Sequence, residues 1–155
     1  MSPEIYDLAL KVGADVPVCL QNNASIIDGI GEKITNISSL QQLPTVLVNP
    51  GISVSTKDIF QQVKRYTDDT QDSMYNNILD RIIKSRNDLQ EVTISLYPVL
   101  EKVINSIMQQ SGCLVARMSG SGATCFGLFK DVKSAHKAYS ILSQEFAWVK
   151  FTYLH

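Results

Sequence analysis

Apolar residues recur at helical spacing in the second half of the chain, and short β-branched or aromatic runs lie between those stretches. Leu96, Leu100, Val103 and Ile107, four and three apart, predict one helix over 96–110, with Gly112 placed to end it. Val132, Ala135, Tyr139, Leu142 and Phe146 predict the apolar face of another helix, capped by Asp131. Strands are expected at 45–48, 114–118, 125–129 and 148–154, with Pro44 as the boundary before the first. Ser55 or Thr56 caps a helix running to about Arg65, the polar run 67–73 is a loop, and a further helix spans 74–85. From Pro44 onward the order is strand, helices, strand, strand, helix, strand. This is the split βαβ order of a ferredoxin-like α+β sandwich, one antiparallel sheet with helices on one face.

The first 43 residues read differently. Ser2 as cap, Pro3 at the first helical position and Glu4 in the first turn open a short helix to about Lys11, which Gly13 ends. Residues 16–20 and 24–27 look like strands joined by a Gln21-Asn22-Asn23 turn, with Asp28-Gly29-Ile30-Gly31-Glu32 as a further turn. A division into 1–43 and 44–155 follows.

Composition narrows the function classes. With 155 residues, 45% hydrophobic and 19% charged, the chain is expected to be globular, and no apolar run approaches the roughly 20 residues of a spanning helix. A net charge of −1 gives no electrostatic footprint for nucleic acid, and the basic stretch from Arg81 to Arg86 is interrupted by Ile82, Ile83 and Ser85. Phe126 and Phe129 fall in different alternating sets, so they form no single base-stacking platform of the kind RNA-binding sheets use. Met1-Ser2-Pro3-Glu4 has neither region of a secretory signal, which gives a cytoplasmic expectation. Cys19, Cys113 and Cys125, odd in number and set in apolar stretches, read as buried reduced thiols, and no metal-ligand spacing stands out.

Two motifs carry candidate chemistry. Met118-Ser119-Gly120-Ser121-Gly122-Ala123-Thr124 lacks the Lys of a Walker loop, the third Gly of a dinucleotide fingerprint and the flanking glycines of a nucleophile elbow. What is left is a small-residue loop between two strands, able to let a phosphate approach its backbone N–H groups or simply to make a tight hairpin. Asp15, between Gly13-Ala14 and Val16-Pro17, is a carboxylate that can accept or orient a hydroxyl proton, or can cap a turn.

Taken together, Gly13-Ala14-Asp15-Val16-Pro17, Gly29-Ile30-Gly31-Glu32, Asn49-Pro50-Gly51-Ile52-Ser53-Val54-Ser55-Thr56, Asn87-Asp88-Leu89, Leu96-Tyr97-Pro98 and the Gly-rich loop resemble the GHMP kinase superfamily, in family order and over essentially the whole chain. The likeness is greatest to the branch acting on 4-diphosphocytidyl-2-C-methyl-D-erythritol in non-mevalonate isoprenoid biosynthesis. The resemblance implies ATP-dependent phosphoryl transfer to the 2-hydroxyl of that small molecule, with Mg²⁺. It implies that Asp15 is the catalytic carboxylate, that Ala14 lies beside the substrate diphosphate, and that Ser119, Gly120, Ser121, Gly122 and Ala123 line the reacting groups. Thr56, Lys57 and Phe60 fall where the family contacts substrate from its smaller domain, although the usual Pro after that Thr is Lys57 here.

The family's main ATP-phosphate loop and the Lys paired with the catalytic Asp lie upstream of the Asp motif, and these 155 residues contain no counterpart. The resemblance therefore implies that 1–43 is the tail of an N-terminal ATP-binding domain, that 44–155 is a C-terminal domain, and that an N-terminal half is a missing partner. Negligible turnover by this chain alone is the expectation. The competing readings are a stand-alone ferredoxin-like ligand-binding or dimerisation module, in which Asp15 is incidental, and a truncated remnant.

Overall fold

A computed structural model describes residues 2–13, 16–21, 25–28, 33–36, 42–64, 66 and 77–154. The chain divides into two compact units, Met1–Gln41 and Gln42–Leu154. Ala14 and Asp15, the turns at 22–23 and 29–32, and the polar run 67–73 lie outside the described residues, as does the start of the helix expected from Met74.

In the first unit, α1 (Pro3–Val12) starts where the sequence predicts: the Ile5 N–H donates to Ser2 Oγ at 3.5 Å and Pro3 occupies the first turn. Gly13 ends it, its N–H donating to the Ala9 carbonyl. The next segment departs from expectation, because 16–20 is not a strand but part of a short helix, α2 (Val16–Gln21). Val16 and Val18 carry strand propensity, but Pro17 near the start of a helix is preorganised and gives up no helical hydrogen bond. The Val16 N–H donates to the Gly13 carbonyl at 3.1 Å. β1 (Ser25–Asp28) then pairs antiparallel with β2 (Lys33–Asn36), a strand not expected from the sequence.

The second unit holds β3 (Leu43–Asn49), β4 (Cys113–Met118), β5 (Cys125–Phe129) and β6 (Trp148–Leu154) in one antiparallel sheet, in spatial order β4-β5-β3-β6. That is the ferredoxin-like arrangement, with the first and third strands of the unit central. Pro44 is inside β3 rather than before it. Its register partner is Tyr153 of β6, while pairing to β5 begins only at Thr45, so on that side no ladder bond is lost to the missing N–H.

Between β3 and β4 run α3 (Thr56–Gln62), α4 (Ile78–Lys84), α5 (Gln90–Leu96) and α6 (Val99–Met108). The single helix expected over 96–110 is thus two. Pro98 disfavours helical dihedrals at the residue before it, and Tyr97, at φ −132° and ψ 76°, ends α5 there. Ser55, not Thr56, caps α3. α7 (Val132–Glu145) is capped by Asp131, whose carboxylate accepts from the Ser134 N–H at 2.7 Å. The α7 face differs slightly from the predicted stripe: Ala135, Ala138 and Leu142 are buried, while Val132 and Tyr139 are exposed.

The core lies between the sheet and helices α6 and α7. It contains Val46, Val48, Leu100, Val103, Ile107, Met118, Cys125, Phe129 and Leu142, nearly all fully buried. Gly127 sits under α6, where an added Cβ would fall on Ile107 Cγ2. Ala116 and Met118 face this core, so Arg117 between them projects from the opposite side of the sheet. There its guanidinium donates to the Ile82 and Ile83 carbonyls at 2.8 and 3.1 Å and to Ser85 Oγ at 2.8 Å, a cation at the C-terminal end of α4. Among the described residues no helix is long and apolar enough to cross a membrane.

Candidate functional site

The Gly-rich loop joins β4 to β5 as a tight hairpin connection. The Ser119 N–H donates to the Thr124 carbonyl and the Gly122 N–H to the Ser119 carbonyl, each at 2.9 Å. Gly120 has φ +53° and Gly122 φ +94°, left-handed values that favour glycine. Gly122 has a second reason to lack a side chain, since a Cβ there would stand 2.9 Å from Met118 Sδ. At Gly120 the same direction is open, with nothing within 4 Å. The Gly120 and Ser121 N–H groups donate to no acceptor among the described residues.

Three segments distant in sequence hold this loop. Asn49, at the end of β3, donates from Nδ2 to Thr124 Oγ1 at 3.0 Å and accepts from the Gly51 N–H at 2.8 Å. Thr56 Oγ1, at the start of α3, lies 2.8 Å from Ser121 Oγ. Asn87, between α4 and α5, donates from Nδ2 to the Met118 and Gly120 carbonyls at 2.9 and 2.8 Å. Gln90 Oε1 accepts from the Met118 N–H at 3.0 Å.

Of the residues singled out in the sequence, Ser119, Gly120, Ser121, Gly122, Ala123 and Thr56 therefore come together in one place. Lys57 and Phe60 are on the same helix as Thr56 but point outward; Phe60 is 49% exposed, and neither side chain makes a hydrogen bond or ion pair with another described residue. Ala14 and Asp15 lie outside the described residues. The roles of Asn49, Asn87 and Gln90 as loop holders were not read from the sequence. Asn49 and Asn87 open two of the motifs that carry the family resemblance, and Asn87 also lies between two helical patterns, where such side chains bind backbone. A surface groove of about 410 Å³ between the end of α3 and α5, lined by Gln62, Lys64, Asp88 and Glu91 among others, includes none of the loop residues.

The thiols are poor candidates for chemistry. Burial pushes Cys113 up to about 11 and Cys125 up to about 12, so neither forms appreciable thiolate near neutrality. Cys19, expected to be buried, is exposed, because 16–21 is helix and turns that position outward. No cluster of three metal-ligating side chains occurs among the described residues. His136 stacks on Phe151 with ring centroids 4.1 Å apart, a packing role.

Residues 72–147 match the family described as GHMP kinases C terminal. A protein named 4-diphosphocytidyl-2-C-methyl-D-erythritol kinase from Chelativorans sp. (strain BNC1) is 38% identical over 146 residues, covering 91% of this chain and 50% of its own. One of the same name from Rhizobium meliloti (strain 1021) is 41% identical over 146 residues, covering 90% of this chain and 48% of its own. A solved 4-(cytidine 5'-diphospho)-2C-methyl-D-erythritol kinase superposes with a TM-score of 0.82 at 26% identity, covering 96% of this chain and 56% of that one. The chain spans about half the length of the curated relatives it matches. A four-stranded antiparallel sheet, a hairpin loop of small residues and these similarities agree: the chain carries a domain of the GHMP kinase C-terminal family.

Proposed function

We propose that this chain supplies the C-terminal part of an ATP-dependent kinase that phosphorylates the 2-hydroxyl of 4-diphosphocytidyl-2-C-methyl-D-erythritol. The observation that carries the reading is the Gly-rich loop, with two N–H donors that meet no acceptor among the described residues and the Thr56 hydroxyl at Ser121, in a chain whose relatives bear that kinase's name. In this reading 1–43 belongs with an N-terminal ATP-binding domain and 44–155 is the C-terminal domain.

ATP would supply the phosphoryl group. The Gly120 and Ser121 N–H groups fit one of its phosphate oxygens, because the absent Cβ at Gly120 leaves that side of the loop open to close approach. Asp15 accepts or orients the proton of the attacking hydroxyl, and Ala14 borders the substrate diphosphate. Ser119, Gly122 and Ala123 shape the loop, while Thr56, Lys57 and Phe60 offer a hydroxyl, a cation and an aromatic face to the substrate. The described residues offer no ligand cluster for Mg²⁺.

ADP formation is measured with this chain, Mg-ATP and the cytidyl substrate, with and without a separately expressed N-terminal half of the Rhizobium meliloti relative. The chain alone turns over negligibly, mixing restores activity, and Asp15→Asn reduces it by about 10²- to 10⁴-fold. A folded, associated pair that stays silent contradicts the proposal.

A further inference from the structure

We infer that Asn87 is a positioning residue, a latch that sets the conformation of the Gly-rich loop and keeps its open donors available; the functional part of this inference rests on the reading above. The geometry leaves this side chain little freedom. Asn87 Oδ1 accepts from the Leu89 N–H at 3.0 Å, which aims both Nδ2 hydrogens at the Met118 and Gly120 carbonyls. Reversing the amide would set Oδ1 against two carbonyl oxygens and Nδ2 against an N–H, so the network selects one orientation.

The latch acts at both ends of the first half of the loop. Met118 is the last residue of β4, with its side chain buried in the core below Gly122. Its carbonyl is held by Asn87 and its N–H by Gln90, and two residues on, the Gly120 carbonyl is held by Asn87 again. A single amide thus bridges the rigid strand end and the glycine at φ +53°. With that carbonyl fixed, the peptide joining Gly120 to Ser121 is held in one orientation, and the N–H it carries is one of the two unsatisfied donors. A swinging peptide at this point would replace a preorganised donor by a mixture of donor and acceptor, which is where electrostatic stabilisation is lost.

The chemical requirement is two donors, which separates close isosteres. Asn87→Asp keeps the acceptor for the Leu89 N–H but places a carboxylate against two carbonyls. Gln90→Glu keeps the acceptor for the Met118 N–H. Hydrogen exchange of this chain, followed residue by residue, is the test that does not depend on activity. In Asn87→Asp and in Asn87→Ala, the Ser119 and Gly122 amides exchange at least tenfold faster, while Val46 and Val48 in β3 stay within twofold. In Gln90→Glu the loop amides stay within twofold.

The second arm uses the reconstituted pair of chains. There Asn87→Asp lowers kcat at least tenfold with KM for the cytidyl substrate changed less than threefold, a split that simple destabilisation would not produce. Unchanged loop exchange in both Asn87 variants overturns the latch, and faster loop exchange with unchanged kcat overturns its positioning role. If the wild-type pair has no activity, the kinase reading fails by itself, and exchange still decides whether Asn87 sets the loop.

Discussion

The two units of this chain handle their apolar residues in opposite ways. In Gln42–Leu154 the alternating faces of four strands meet α6 and α7, and Phe129, Leu100, Ile107 and Leu142 are fully buried. In Met1–Gln41 only Ala9 and Pro17 are buried among the described residues, while Ile5, Leu8 and Val12 lie along one side of α1 at 52%, 63% and 74% exposure. An exposed stripe at spacings of three and four is the mark of a helix face made for packing. The loop is carried by a domain that buries its own core, whereas the described apolar residues of Met1–Gln41 form no comparable core.

This contrast can be broken by mutation. Phe129→Ala is expected to destabilise the second unit by about 3–5 kcal/mol, whereas Leu8→Ala should stay within roughly 0.5 kcal/mol, both read by denaturant unfolding. Comparable effects at the two positions would erase the distinction. Next in size is Gly127→Ala, whose methyl must displace Ile107; overpacking of this kind costs about 1–3 kcal/mol. An unchanged midpoint would mean that α6 is not seated as closely on β5 as described.

Thiol reactivity sharpens the same contrast at lower cost to the fold. At pH 8 in native buffer, Cys19 should react with a disulfide reagent well before Cys113, and Cys125 should wait for unfolding. The smallest expected effect is at the α7 cap. The Ser134 N–H, with further help from the Ser134 hydroxyl, holds Asp131 below the usual carboxylate range. A depressed folded value stabilises above the unfolded one, so this contribution is lost as pH falls through the acidic range, and Asp131→Asn should flatten that part of the stability profile.

How much of this was legible in the sequence depended on the range of the forces involved. Strands β5 and β6 and the caps at Ser2 and Asp131 follow from local composition, and their bounds agree with the periodic pattern. α2 was misread because Val16 and Val18 carry strand propensity, and the bond from Val16 to the Gly13 carbonyl outweighed it. α5 was missed because Val92, Thr93 and Ile94 are β-branched, yet Thr93 is buried and donates to the Leu89 carbonyl within a helical turn. The loop at 119–123 was legible because glycine advertises unusual dihedrals. Asn87 and Asn49 stood in motifs of the resemblance, but their hold on the loop was not legible, since bonds across 31 and 75 residues leave no period along the chain.

The comparison of the two units is tested most directly by native-state hydrogen exchange across the whole chain. β3, β5, α6 and α7 should share the slowest rates, set by one global opening, while α1 and α2 exchange at least a hundredfold faster. Equal protection of α1 and the central strands would contradict it.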